Sequence, residues 1–166
     1  MRKVYISILT VLAFLAVSPG SMAIDHPGIT RPVKSLSDFV LIEDGKPVPI
    51  IVSSTDDTAV LRAAANLQND FFMVCGTRPE IRESAETDRA VIAGSLSSDI
   101  IKSMIADNLI DVGDLEGYRE KYVIRFVKNP VEGVGEALVI VGSDRRGAVY
   151  GIYELSEQIG VSPWYD

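Results

Sequence analysis

One histidine, one cysteine and one tryptophan occur in 166 residues, and each scarcity removes a class of chemistry. His26 sits near the N-terminus beside Pro27 and Gly28. A Ser-His-Asp triad, a Cys-His dyad and a histidine-rich zinc site would all have to be built on it there, so it reads as a solvated loop residue. Cys75 has no second cysteine to pair with. It follows Phe71, Phe72 and Val74 near the end of a predicted helix, where a buried, inert thiol is expected. Basic residues are short as well, with 16 Lys and Arg against 23 Asp and Glu and a formal charge of −7. No basic stripe forms, so nucleic acid is not an expected partner, and the acidic surface reads as a device for solubility. No metal site and no cofactor are expected.

Apolar residues make up 47% of the chain, enough for a packed core in one domain of ordinary size. Residues 1–23 read as a signal peptide. Arg2 and Lys3 precede an apolar run from Val4 to Val17, Ser18-Pro19-Gly20 breaks any helix, and Ser21-Met22-Ala23 offers a small-residue cleavage site. The run is too short for a comfortable span of about 20 residues. A secreted or periplasmic protein follows, with no membrane contact after cleavage. Residues 24–37 read as a linker or arm, 38–161 as an α/β domain, and 162–166 as the start of a connection to a further domain.

Within that domain Phe39–Glu43 and Val48–Val52 are expected to form a hairpin about Asp44-Gly45, at a sheet edge because of Pro47 and Pro49. Ser54-Thr55-Asp56-Asp57 opens a helix on which Val60, Ala64, Leu67, Phe71 and Val74 recur, and Gly76 stops it. Glu80–Arg82 reads as a short strand. Ala90–Gly94 and Leu138–Gly142 are continuous apolar strands, each running through Gly-Ser into a helix. They read as central strands of a sheet, and as either a weak internal repeat or two ordinary βα units that look alike. Tyr122–Val127 alternates as a further strand, and the short loop after it implies antiparallel neighbours. A mixed β-sheet with packed helices is the expected fold.

Gly142-Ser143-Asp144-Arg145-Arg146-Gly147 joins a strand to a helix and invites comparison with a phosphate loop. Ala148 stands where that loop needs lysine, and the G-x-G-x-x-G pattern is absent. Asp144 or Ser143 instead caps the helix. Gly147 and Gly151 share one helical face, bared for close approach to a sheet or a neighbouring domain, and Tyr150 and Tyr153 flank it. Among the carboxylates, Asp56, Asp57 and Asp144 read as caps, and Glu154 and Glu157 as a solvated face. No catalytic residue is nominated.

The run Leu138–Tyr165, with Gly142-Ser143-Asp144-Arg145-Arg146-Gly147, Tyr150-Gly151-Ile152-Tyr153 and Gly160-Val161-Ser162-Pro163-Trp164, resembles the end of the N-terminal domain in glycoside hydrolase family 115, the xylan α-glucuronidases. The resemblance implies an accessory domain of the kind that precedes a glycosidase (β/α)8 barrel. The whole enzyme would remove glucuronic acid or its 4-O-methyl ether from glucuronoxylan by inversion, with two carboxylates and a positioned water. Those groups would belong to the barrel. Its own downstream barrel is the implied partner, and xylan is reached through the full-length enzyme. A homodimer of the full-length protein is a further expectation. Asp144, Arg145, Gly147, Tyr150, Gly151, Tyr153 and Trp164 are the candidates for bracing the barrel or rimming its site. The rival reading is a free-standing secreted carbohydrate-binding module. Such modules display rows of exposed aromatics, whereas Trp164 stands alone near the end.

Export predicts a mature chain beginning at Ile24. N-terminal sequencing of secreted material checks this, and a product that retains the Val4–Val17 run would refute it.

Overall fold

The structure is a computed structural model that describes residues 4–6, 30–31 and 39–161. His26, Trp164, most of the expected leader and arm, and the connection from residue 162 onward lie outside the described residues. Strands β1 (Val4–Ile6) and β2 (Thr30–Arg31) precede β3 (Phe39–Glu43), β4 (Lys46–Pro47) and β5 (Ile50–Ile51). Helix α1 (Thr58–Cys75), β6 (Ile81–Arg82), β7 (Thr87–Ser95) and α2 (Asp99–Ala106) follow. The chain continues through β8 (Tyr122–Lys128) and β9 (Val134–Gly142) to α3 (Arg145–Gln158). The α/β class and the mixed sheet are as the sequence led one to expect.

The main sheet has the order β6-β5-β7-β9-β8. Strands β7 and β9 lie at its middle and pair in parallel from Ala90↔Ala137 to Ser95↔Gly142. Strand β8 runs antiparallel to β9 at the edge. Their apolar runs look continuous because both faces are covered. Val91, Ala93, Leu138 and Ile140 face a core formed with Leu67 and Phe71 of α1 and Ile152 and Leu155 of α3. Ala90, Ile92, Ala137, Val139 and Val141 face a second core with Ile101 and Met104 of α2. Ile110, Val112 and Leu115, from the segment between α2 and β8, complete that face. Each fully buried Leu, Ile or Phe contributes about 1.5–3 kcal/mol. Because α2 and α3 lie on opposite faces of the sheet, the two strand–glycine–helix units are local look-alikes and not a structural repeat.

The expected hairpin is shorter than its apolar run suggested. Asp44 and Gly45 turn the chain with φ 51° and 77°, but only Lys46–Pro47 returns along β3, pairing Glu43 with Lys46. The chain then leaves for the main sheet. The Pro49 carbonyl accepts from the Val91 N–H at 2.9 Å, and β5 pairs in parallel with both β6 and β7. Ile50 and Ile51 are fully buried, so apolar burial between two strands outweighs continuation of the hairpin. Proline still marks an edge, since β4 ends the four-stranded sheet β2-β1-β3-β4. Strand β1 pairs with β3 and falls inside the expected leader, so cleavage at Ala23 would remove that pairing and leave β4 as the partner of β3 among the described residues.

Helix α1 starts and stops where its sequence directs. The Asp57 side chain accepts from the Ala59 N–H, and Gly76 closes the helix in the left-handed conformation at φ 79°. Val60, Ala64, Leu67 and Phe71 are fully buried, while Val74 is 36% exposed. Cys75 is only half-buried, its Sγ 3.4 Å from the Thr77 carbonyl. Asp56 is not a cap. It is buried, accepts the Asp57 N–H just before the helix at 2.8 Å, and also ties the start of α1 to the end of β7 by accepting from the Ser95 N–H and hydroxyl at 3.4 Å.

The bare face of α3 lies against the molecule's own sheet. A Cβ on Gly147 would fall 2.2 Å from the Lys121 carbonyl oxygen, and one on Gly151 would fall 2.6 Å from Ile140 Cγ2. Overpacking of this kind typically costs about 1–3 kcal/mol. Gly151→Leu is therefore expected to lower the denaturant midpoint far more than Glu154→Leu, which loses only the half-exposed hydrogen bonds that Glu154 accepts from Tyr122 and Gln158. Equal midpoints would remove the close-packing account.

Candidate functional site

The residues singled out in the sequence gather where β9 passes into α3. Gly142 is required at the join, because a Cβ there would lie 1.9 Å from the Ala148 amide nitrogen. The turn is fastened sideways to the start of β8. Ser143 donates its N–H to the Lys121 carbonyl at 2.8 Å, and its hydroxyl accepts the Lys121 N–H at 3.0 Å. Asp144 caps α3 by accepting the Gly147 N–H at 2.8 Å. Its other oxygen accepts the Glu120 N–H at 3.0 Å. The Gly147 N–H, then that of Glu120, holds the Asp144 carboxyl below the usual carboxylate range, with Arg146 adding to the effect. The anion held at this helix N-terminus is thus the chain's own carboxylate.

The two arginines of the turn are committed to neighbours. Arg145 reaches Asp57 at 3.4 Å, linking the caps of α1 and α3. The Ala59 N–H holds the Asp57 carboxyl low, and Arg145 reinforces this. Arg146 pairs with Glu120 at 2.6 Å and donates to the Tyr150 hydroxyl at 3.3 Å. These surface pairs order side chains more than they stabilise the fold.

One turn further along, α3 is bound to α1 and β8. The Asn66 amide donates to the Tyr153 hydroxyl at 2.9 Å, and the Tyr122 hydroxyl donates to Glu154 at 3.1 Å. Glu154 also accepts from Gln158 at 2.8 Å, so it is a half-buried packing residue and not part of a wet face. No sequence signal links residues as far apart as Asn66 and Tyr153, or Tyr122 and Glu154. Both pairs emerge only from helix placement.

The sequence candidates divide into two groups. Gly147 and Gly151 are buried beneath α3, whereas Tyr150 and Tyr153 stay 41% and 43% exposed on its outer side. Phe72 and Met73 of α1, which sequence reasoning did not select, are 43% and 55% exposed. Asp144 and Arg145 stand at the helix start, and Trp164 lies outside the described residues. The strand ends around Ser95 and Gly142 form one end of the sheet. Two adjoining clefts of about 320 and 410 Å³ sharing Lys46, Pro47, Pro49 and Thr87 open at the other end, where β7 begins. The candidates therefore present a surface and do not line these clefts. No group of three or more His, Cys, Asp or Glu among the described residues is arranged to hold a metal ion.

No protein-family model matches the sequence, and no curated protein matches it. Among solved structures the fold is similar to part of BtGH115A, described as a novel family GH115 4-O-methyl-α-glucuronidase with specificity for decorated arabinogalactans. Identity is 26% and the TM-score 0.60, over 74% of this chain and 15% of that one. A structure of CpGH84D is similar at 17% identity and TM-score 0.47, over 69% of this chain and 18% of that one, too remote to bear on function. This chain spans a small part of either. The fold is GH115-like, and the relationship is to a glycosidase.

The Tyr122–Glu154 contact has a consequence for stability. Burial first, then the charge and hydrogen bond of Glu154 and the charge of Glu157, push the Tyr122 hydroxyl up to about 12. The folded state thus holds a proton that the unfolded chain releases near pH 10. This contribution is complete below about pH 10 and is lost as pH rises through about 12. Denaturant melts across that window should fall less steeply for Tyr122→Phe than for the parent, and equal slopes would show that Tyr122 is not the group involved.

Proposed function

We propose that this chain is the non-catalytic N-terminal domain of an exported α-glucuronidase. Its partner would be a downstream (β/α)8 barrel that removes glucuronic acid or its 4-O-methyl ether from a branched plant polysaccharide. The observation that carries the proposal is the GH115-like fold, shared over most of this chain with a small part of a much longer glucuronidase. The use of the carboxylates supports it. Asp57 and Asp144 cap helices, Asp56 fastens β7, and Glu154 is bound to Tyr122. A glycosidase needs two carboxyl groups free to flank a sugar, and each of these four already holds a structural partner.

In this reading the barrel packs on the outer side of α1 and α3, where Phe72, Met73, Tyr150 and Tyr153 are exposed. Asp144 and Arg145 stand at the rim. Amphipathic tyrosines suit an interface with a wet margin. Glucuronoxylan is the proposed substrate, and decorated arabinogalactan, on which BtGH115A acts, is the competing backbone.

The expected outcome is no release of glucuronic acid from either polysaccharide by this chain alone, and release once it is joined in one polypeptide to its downstream barrel. Robust release by the chain alone would overturn the proposal. Tight binding of either polysaccharide by a monomeric chain would favour a carbohydrate-binding module instead.

A further inference from the structure

Two carboxylates are buried among the described residues, Asp56 and Asp70, each 9% exposed. The fold treats them differently. Asp56 accepts the N–H groups of Asp57 and Ser95 and the Ser95 hydroxyl. Asp70 lies within α1, and among the described residues no donor or cation reaches its carboxylate. Burying a charge without a partner is costly, and an apolar side chain at the same helical position would carry no such cost.

The surroundings of Asp70 indicate what it lacks. Asn66, one turn earlier on the same side of α1, donates to the Tyr153 hydroxyl of α3 at 2.9 Å. Met73 and Val74, one turn later, are exposed. Asp70 therefore sits along the margin of α1 that meets α3, among the side chains that the proposed barrel contact covers. Cations near either end of α1 are committed elsewhere. Arg145 reaches Asp57 at the helix start. Arg78, just past the helix end, donates to Asn69 and lies over the Phe72 ring at 4.7 Å. A metal ion would need further ligands, and no group of three or more His, Cys, Asp or Glu gathers among the described residues.

We infer that Asp70 receives an arginine side chain from the downstream barrel, as the charged anchor of that contact. The inference rests on the assignment of the α1–α3 face to the barrel. A guanidinium offers two parallel N–H groups to the two oxygens of a carboxylate. It also sheds water more readily than an ammonium, and it stacks on aromatic rings such as that of Tyr153. Tyr153 and Met73 would close around the pair and keep water from it, as the rim of an interface does for its anchor.

The experiment compares Asp70→Asn with the parent, both as this chain alone and joined in one polypeptide to the barrel. Asp107→Asn, at the end of α2 on the other face of the sheet, controls for net charge. In the chain alone, Asp70→Asn is expected to leave the denaturant midpoint unchanged or raise it, since it neutralises an unpaired charge. A clear fall would mean that the carboxylate is already satisfied within this domain, which overturns the inference and leaves the docking face standing. In the joined polypeptide, hydrogen exchange of the α1 amides around Met73 should be slower than in the chain alone. Asp70→Asn should speed it at least about tenfold relative to the joined parent, and Asp107→Asn should not. Slowing that survives Asp70→Asn, or that Asp107→Asn relieves equally, would overturn the anchor but not the docking face. No slowing on joining would overturn both.

Discussion

A helix separated by only two residues from the strand before it has to clear the sheet it came from, and α3 does so by carrying no Cβ at its contact points. Gly142, Gly147 and Gly151 each stand where a methyl group would meet Ala148, the Lys121 carbonyl or Ile140 at under 3 Å. Two glycines inside a helix cost about 1 kcal/mol each relative to alanine. The close contact offsets that cost by letting Ala148, Ile152 and Leu155 reach full burial. Most of the surrounding geometry depends on this approach. It brings Asp144 within reach of Glu120, Glu154 within reach of Tyr122, and Tyr153 within reach of Asn66.

The same closeness shapes what the turn can do chemically. A helix N-terminus at the end of a parallel strand is a ready place for an anion, and here the chain supplies its own. Asp144 takes the Gly147 and Glu120 amides, Asp57 takes that of Ala59, and Arg145 ties the two caps together. The turn is internally satisfied, with both cap carboxylates and Arg145 held by partners within the fold.

The two faces of the sheet are covered differently. Helices α1 and α3 cover one face of the sheet and turn Phe72, Met73, Tyr150 and Tyr153 outward, while α2 and the segment after it cover the other face. At the sheet's margin β8 offers backbone groups where the helices offer side chains.

The sequence by itself determined the local units. Spacing and capping located α1, because Asp57, the apolar positions from Val60 to Phe71 and Gly76 each act within a few residues. Apolar runs located β7 and β9, and alternation located β8. The GH115 likeness was also legible, in the turn from Gly142 and the Tyr-Gly-x-Tyr helix. Only the tertiary structure decided where those units went. Pro49 leaves the hairpin for the main sheet because Ile50 and Ile51 gain full burial there, a long-range gain that no local pattern encodes. Gly147 and Gly151 could have faced a neighbouring domain or their own sheet, and the sequence reads the same for either. Their bare face meets Lys121, Tyr122 and Ile140, so Tyr150 and Tyr153 remain for the outside. Asp56 looked like a cap because acidic residues before a helix usually are caps. Its use by Ser95, 39 positions away, follows from the adjacency of β5 and β7, which the chain reaches only by burying both.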